Sequence, residues 1–195
     1  MGKSWGDVYD RPADVSHFIE NINVHKDFLD EMCKDKPERV VEVGCGSGTL
    51  SVFMSHIGSD VTAVDVDYEV LERAEKASSE LNGSVKFLRG DAFSLPFSEK
   101  EFDVAFSQGV FEHFSDEDII KMITEQLRVA KKVLFSVPNK NYNHKDFGNE
   151  RLMTKTEWEN ILSDFNVKVS KDYYNVRVKR NLMRSLPIMY MAGIE

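Results

Sequence analysis

The sequence predicts an α/β fold, a doubly wound domain on a mainly parallel sheet, and three observations carry that expectation. Short runs rich in β-branched and aromatic residues recur at 39–43, 60–65, 85–88, 102–107 and 132–137. Most of the gaps between them hold amphipathic stretches long enough for a crossover helix, the arrangement that yields parallel neighbours. The first run ends in a turn with glycines at 44, 46 and 48, and a helical pattern opens directly after it. The 195 residues suit one such domain and are too few for two ordinary ones, so 1–195 is read as a single domain.

Taken in order, residues 1–36 carry no strand pattern. Val15, Phe18, Ile19 and Ile22, then Phe28, Leu29 and Met32, recur at roughly helical spacing and predict one or two cover helices. Tyr9 and Arg11 are candidates to line a pocket beneath them, and Trp5 reads better as an anchor onto the core. After the first strand, helices are expected at about 48–57 and 68–80, the second capped by Asp67. The segment 93–101 is short for a full helix. A helix at 116–130 starts well, with Ser115 as cap and Asp116, Glu117 and Asp118 at its positive end. Residues 139–153 are polar and aromatic, too long for a simple connector, and form a candidate substrate lid that carries Tyr142 and His144. Thr154 with Glu157 is a capping box for a helix running to Leu162, and two final strands follow it.

The glycine turn narrows the chemistry. Bare backbone after a strand lets a ligand come close, and the helix that follows aims unpaired N–H groups at it. A dinucleotide fingerprint wants glycines at the first, third and sixth positions, yet counting from Gly44 the sixth position is Thr49. Glu42 stands two residues before the turn. At ~5 Å and an effective dielectric of ~20 its charge would repel a phosphate by roughly 3 kcal/mol and attract a cation equally. S-adenosylmethionine (SAM) has an ammonium, a sulfonium and no phosphate, and suits that pattern.

If SAM is the ligand, a second acid should end the next strand to take the ribose hydroxyls. Asp65 stands there, 21 residues after Gly44. The alternative, a helix cap, is served equally well by Asp67. After the third strand, Asp91 and the Ala92 N–H offer an acceptor and a donor for adenine, with a plain Gly-Asp turn as the alternative. The fourth strand runs into Gln108, Gly109, Val110, Phe111, Glu112 and His113, and its end should face the transferable methyl group.

The stretches VVEVGCGSGTLS, VTAVDVD, FLRGDAFSLPF, FDVAFSQGVFEHF and VAKKVLFSVPN, within about residues 39–138, resemble the class I SAM-dependent methyltransferases, in particular their small-molecule branch. The resemblance implies a seven-stranded Rossmann-like sheet with an antiparallel C-terminal strand, and transfer of a methyl group to a small-molecule acceptor with S-adenosyl-L-homocysteine as product. It places Glu42, Gly44, Cys45, Gly46 and Gly48 under the methionine part of SAM. It makes Asp65 the ribose acid, Val66 an apolar face for adenine, Asp91 and Ala92 adenine contacts, and Gln108, Gly109 and Val110 the turn beside the methionine. The Cys45 thiol needs no chemical role. His113 is the candidate catalytic residue, although the same pair of residues recurs across the family with unrelated substrates, so a structural role is open to it. Glu112 reads as a brace for the turn.

Composition bounds the rest. A 42% hydrophobic content supports a core, and 30% charged residues without a long apolar run leave no membrane span. No charged-then-apolar leader opens the chain, which reads as cytoplasmic. Cys33 and Cys45 are expected to be reduced, and the five histidines, at 17, 25, 56, 113 and 144, show no metal-ligand spacing. The net charge of −8 opposes a nucleic-acid substrate, while residues 166–195 carry +4 through Lys168, Lys171, Arg177, Lys179, Arg180 and Arg184 against Asp172 and Glu195. That basic end reads as a solvated, amphipathic surface, with an anionic substrate or a partner as the alternative. Phe93, Phe97, Phe111, Phe114 and Phe147 are candidates for an apolar acceptor pocket or for the core. No oligomer interface is legible. Two other functions share these features: a non-catalytic protein that binds SAM or S-adenosylhomocysteine, and, opposed by the glycine spacing and Glu42, a nicotinamide-dependent oxidoreductase.

Overall fold

The computed structural model describes residues 14–143, 148–177 and 185–195. Trp5, Tyr9, Arg11, His144, Phe147, Lys179, Arg180 and Arg184 lie outside them. Two helices come first, α1 at Val15–Val24 and α2 at Lys26–Cys33, joined through His25. Then follow β1 (Arg39–Val43), α3 (Thr49–His56), β2 (Asp60–Asp65), α4 (Tyr68–Glu80), β3 (Val85–Arg89), β4 (Phe102–Gln108), a 3-10 turn (Phe111–His113), α5 (Asp116–Val129), β5 (Ala130–Pro138), α6 (Lys155–Ile161), β6 (Val167–Arg177) and β7 (Ser185–Ile194). One seven-stranded sheet has the order β3-β2-β1-β4-β5-β7-β6. Strands β1 to β5 pair in parallel, and β7 lies antiparallel to both β5 and β6. The strand order reverses between β1 and β4, the switch point where open α/β sheets leave a crevice for ligands.

The alternation of the strands sorts the core into two layers. Val41, Val43, Ala105, Val133 and Phe135 face α5 and α6, with Ile119, Met122, Ile123 and Trp158. Val40, Val104, Phe106 and Leu134 face α2 and α3, with Phe28, Leu29, Met32 and Met54. Because the sheet is covered on both sides, its inner strands read as continuous apolar runs. At the opposite end from the glycine turn, Asp103 accepts from the backbone N–H groups of Glu38 (2.9 Å) and Arg39 (3.0 Å) and from Lys131 Nζ (2.8 Å), which fixes where β1 and β4 start.

Caps fall where the residue chemistry puts them: Asp67 on α4, Ser115 on α5, and Thr154 with Glu157 as a complete capping box on α6. One boundary differs from the sequence-based expectation. Strand β5 begins two residues early, at Ala130, because α5 passes straight into it without a loop. The register pairing Ala130 with Phe102 pulls the strand down to the helix end. Between β3 and β4, among the described residues, the connection is not helical but is tied to α5: Arg128 donates to the carbonyls of Leu95 (2.9 Å) and Phe97 (2.8 Å), and Glu125 accepts from the Leu95 N–H. No helix among the described residues is long and apolar enough to cross a membrane.

Candidate functional site

The carboxyl ends of β1, β2 and β4 meet in one cradle. Gly44, Gly46 and Gly48 all take left-handed backbone angles, with φ of 75°, 51° and 68°. That region is costly for any residue with a Cβ. The Gly44 and Cys45 N–H groups both donate to the Val64 carbonyl, at 2.8 and 3.0 Å, locking the turn to the end of β2. A Cβ on Gly44 would lie 2.5 Å from Val110 Cγ2, so the turns after β1 and β4 touch only because residue 44 has no side chain. Gly48 is the N-cap of α3, and Phe87 fills the space beside it.

Asp65 joins the second strand to this cradle. Its carboxylate accepts from the Gly46 N–H and from the Asp67 N–H, both at 3.1 Å. Burial is the largest influence on it and raises its pKa, against the backbone hydrogen bonds. The helix cap is the work of Asp67, which accepts from the N–H groups of Glu69 and Val70. A pyrophosphate would need the Gly46 N–H that an acid already occupies. The cradle therefore fits a ligand that brings hydroxyls to Asp65 better than one that brings phosphates.

Glu42 departs from the simple electrostatic expectation. It is 3% exposed, on the α3 face of β1, and accepts from Ser51 Oγ (2.5 Å) and the Ser51 N–H (3.2 Å). Burial pushes its carboxyl up to about 8, with a contribution from Asp65, against the Ser51 hydrogen bonds. Without a ligand the acid is mostly neutral at pH 7, and a positive charge placed beside it favours its ionised form. Burial also holds the Cys45 thiol well above its ordinary value, consistent with an unreactive side chain.

The region expected to meet adenine is partly a turn and partly an open apolar surface. Asp91 Oδ1 accepts from the Phe93 N–H at 2.9 Å, an Asx turn, and Ala92 packs at the edge of the core. Val66 is 57% exposed directly after Asp65, and Phe93 is 39% exposed. Of the phenylalanines considered for an acceptor pocket, Phe111 is core, Phe97 and Phe114 pack against it, and Phe93 meets Phe114 edge-on at 5.8 Å.

At the fourth strand, Gln108, Gly109 and Val110 are half-buried, and the Gly109 N–H donates to the Ser136 carbonyl at 2.9 Å. His113 Nδ1 lies 2.7 Å from Asn149 Oδ1. The amide oxygen accepts a hydrogen bond from Nδ1–H, and in that tautomer of the neutral ring the lone pair lies on Nε2. Glu112 is buried beneath, with its Oε2 lacking a partner among the described residues, and burial with nearby Glu150 raises its carboxyl to about 8. The described ends of the 139–153 segment are both anchored. Asn139 is held by β7 and Asp172, and Arg151 donates its backbone N–H to the Glu112 carbonyl at 2.8 Å and its guanidinium to the Phe114 carbonyl and Asp116. Asn149, Ser51 and Ser136 were missed by sequence reasoning. Each meets its partner through the fold, so no local spacing marks it.

A strand-end cradle of left-handed glycines, an acid at the next strand end and an uncovered apolar face beside it lie where doubly wound α/β domains leave a crevice for small ligands. Residues 40–133, just under half of the chain, match the family model described as "Methyltransferase domain". Among curated proteins, the chain is 27% identical over 172 residues to the mitochondrial ubiquinone biosynthesis O-methyltransferase of Schizosaccharomyces pombe, covering 83% of this chain and 58% of that protein. The chain spans about half the length of the curated relatives it matches. Among solved structures, a Pyrococcus horikoshii protein superposes with a TM-score of 0.70 at 18% identity, covering 94% of this chain and 92% of that one. The magnesium protoporphyrin IX methyltransferase of Synechocystis, solved with S-adenosylhomocysteine bound, gives 0.67 at 15% identity, covering 97% and 91%. At these identities the structural likeness speaks for the fold alone.

Proposed function

We propose that the chain is an enzyme that transfers a methyl group from SAM to a small-molecule acceptor by in-line displacement. The observation that carries this reading is the union of three strand ends in one cradle, through the Gly46 N–H to Asp65 bond and the bare Gly44 against Val110. Bound SAM supplies a methyl group activated by a sulfonium.

The chain's own residues bind and orient. Gly44, Cys45, Gly46 and Gly48 present backbone to the methionine part, with Glu42 beneath as a carboxyl that ionises when a cation is near. Asp65 takes the ribose hydroxyls, Val66 covers adenine, and Asp91 and Ala92 meet its edge. Gln108, Gly109 and Val110 close the methionine side. Holding donor and acceptor in line can lower the barrier by ~7 to 11 kcal/mol, so a catalytic triad is not required. His113, fixed by Asn149, is the candidate to accept a proton from the acceptor. A small molecule is favoured because the similar curated proteins include ubiquinone biosynthesis O-methyltransferases and because the net charge opposes a phosphate backbone. Cytoplasmic location belongs to the same proposal, supported by free Cys33 and Cys45.

Incubation with radiolabelled SAM and fractionated metabolites, hydroxylated aromatics first, should give a labelled product in at least one fraction. Binding of SAM with no product across a broad acceptor set would instead favour a non-catalytic sensor.

Glu42 makes cofactor binding depend on pH. Its carboxyl sits at about 8 in the free protein, and a bound cation favours the ionised form, so binding releases a proton below that value. Affinity for SAM should rise as pH increases from 6 to 8 and then level off. Calorimetry in buffers of different ionisation enthalpy reads the released proton directly, and Glu42→Gln should flatten the rise. The stability of the ligand-free protein should move the other way. The raised pKa favours the folded state fully below about 4.5, and that contribution is lost as pH climbs through 8, with Glu112 acting in the same sense.

A further inference from the structure

One cluster of buried polar groups lies outside the roles assigned so far. His25, the residue that joins α1 to α2, is 4% exposed, and its Nδ1 lies 2.9 Å from the Tyr173 hydroxyl on β6. That hydroxyl lies 2.5 Å from Ser136 Oγ on β5. All three side chains are buried, and Tyr173 sits among Phe28, Phe106, Leu134 and Met191. Burial lowers the His25 imidazole to about 4, so the ring is neutral. With its proton on Nε2, Tyr173 donates to Nδ1 and Ser136 donates to the Tyr173 oxygen, and the chain is satisfied along its length.

Where this chain ends is significant. Ser136 stands opposite Gln108 in the β4/β5 register, and its carbonyl accepts from the Gly109 N–H at 2.9 Å. The hydrogen-bonded path thus runs from the hinge of the amino-terminal helices, across the sheet face, to the turn at the mouth of β4. A second observation points to the same place. Tyr174, next along β6, has φ of 55°, a left-handed angle that a bulky residue rarely adopts. The ladder passes there from Tyr173 opposite Met189 to Asn175 opposite Pro187, and the Ile188 carbonyl between them accepts from the Asn139 N–H instead. The Tyr174–Ile188 step is left out of the ladder directly beside Tyr173, which delivers the hydroxyl. An apolar cluster would pack more simply with phenylalanine at 173, and a polar trio in such surroundings is costly unless every member is paired.

We infer that Tyr173 is a positioning residue whose hydroxyl couples the α1–α2 hinge to the 108–110 turn, so that settling of the amino-terminal helices and filling of the turn occur together. The inference rests on the proposed reading only in taking that turn as part of the cofactor site.

Hydrogen exchange on the full chain, resolved by peptide, tests it. Tyr173→Phe should raise exchange in peptides covering 14–33 and in those covering 105–113. Leu29→Val, which loosens α2 in the same apolar cluster without touching the chain, should raise it in 14–33 alone. S-adenosylhomocysteine should protect both regions in the unaltered protein and only 105–113 in Tyr173→Phe, with affinity reduced about fivefold or more. Adding Ser136→Ala to Tyr173→Phe should cost little further affinity, since the groups act as one unit. The inference is overturned if Tyr173→Phe leaves exchange in 105–113 and the affinity for S-adenosylhomocysteine unchanged. Absence of protection anywhere in the unaltered protein would count against the cofactor reading, and the ligand-free comparison would still decide the coupling.

Discussion

Gly44→Ala should both destabilise the protein and weaken binding of SAM and S-adenosylhomocysteine by about tenfold or more. Two costs fall on one atom. The backbone at φ 75° penalises a Cβ by roughly 1 to 2 kcal/mol, and that Cβ meets Val110 Cγ2 at 2.5 Å, where overpacking typically costs ~1 to 3 kcal/mol. The turn can relieve the clash only by moving away from Val110, which opens the cradle. The double variant Gly44→Ala with Val110→Ala removes the clash but not the backbone strain, and should recover part of the loss. Thermal melting and calorimetry separate the two effects. Wild-type affinity in the single variant would mean that closeness of the two turns has no part in binding.

Asp65→Ala should lower affinity for the same ligands by an order of magnitude or more. Two hydrogen bonds from ribose hydroxyls to a charged acceptor contribute roughly 1.5 to 3 kcal/mol each. A second reason is structural: the same carboxylate holds the Gly46 and Asp67 N–H groups, so its loss also loosens the glycine turn. Asp65→Asn keeps an acceptor oxygen for the backbone and loses the charge, and should fall between the two. If Asp65→Ala binds as tightly as the unaltered protein, the ribose role is removed.

The order of the elements is legible because most boundaries have a local chemical cause. Asp67, Ser115 and the Thr154–Glu157 box cap their helices as the residue types require, and the alternating glycines mark the turn after β1. The sequence pattern puts the start of β5 two residues late because no turn residue separates it from α5, and only the pairing with β4 fixes its start. At the site, the positions of Gly44, Asp65, Val66 and Gly109 follow from strand ends. What the sequence hid was the state of Glu42. Residue type alone suggests an anion, whereas burial, against the Ser51 hydrogen bonds, keeps it largely neutral at pH 7 in the absence of a cation. The partners Ser51, Asn149, Tyr173 and Ser136 were equally hidden, because each contact spans elements distant in the chain.

The selection of a phosphate-free nucleoside by an acid-lined glycine cradle is tested most directly by isothermal titration with S-adenosylhomocysteine and, separately, with NADH. Saturable binding of the former with no heat from the latter is the predicted result. Tight binding of NADH, or no interaction with S-adenosylhomocysteine, would contradict it.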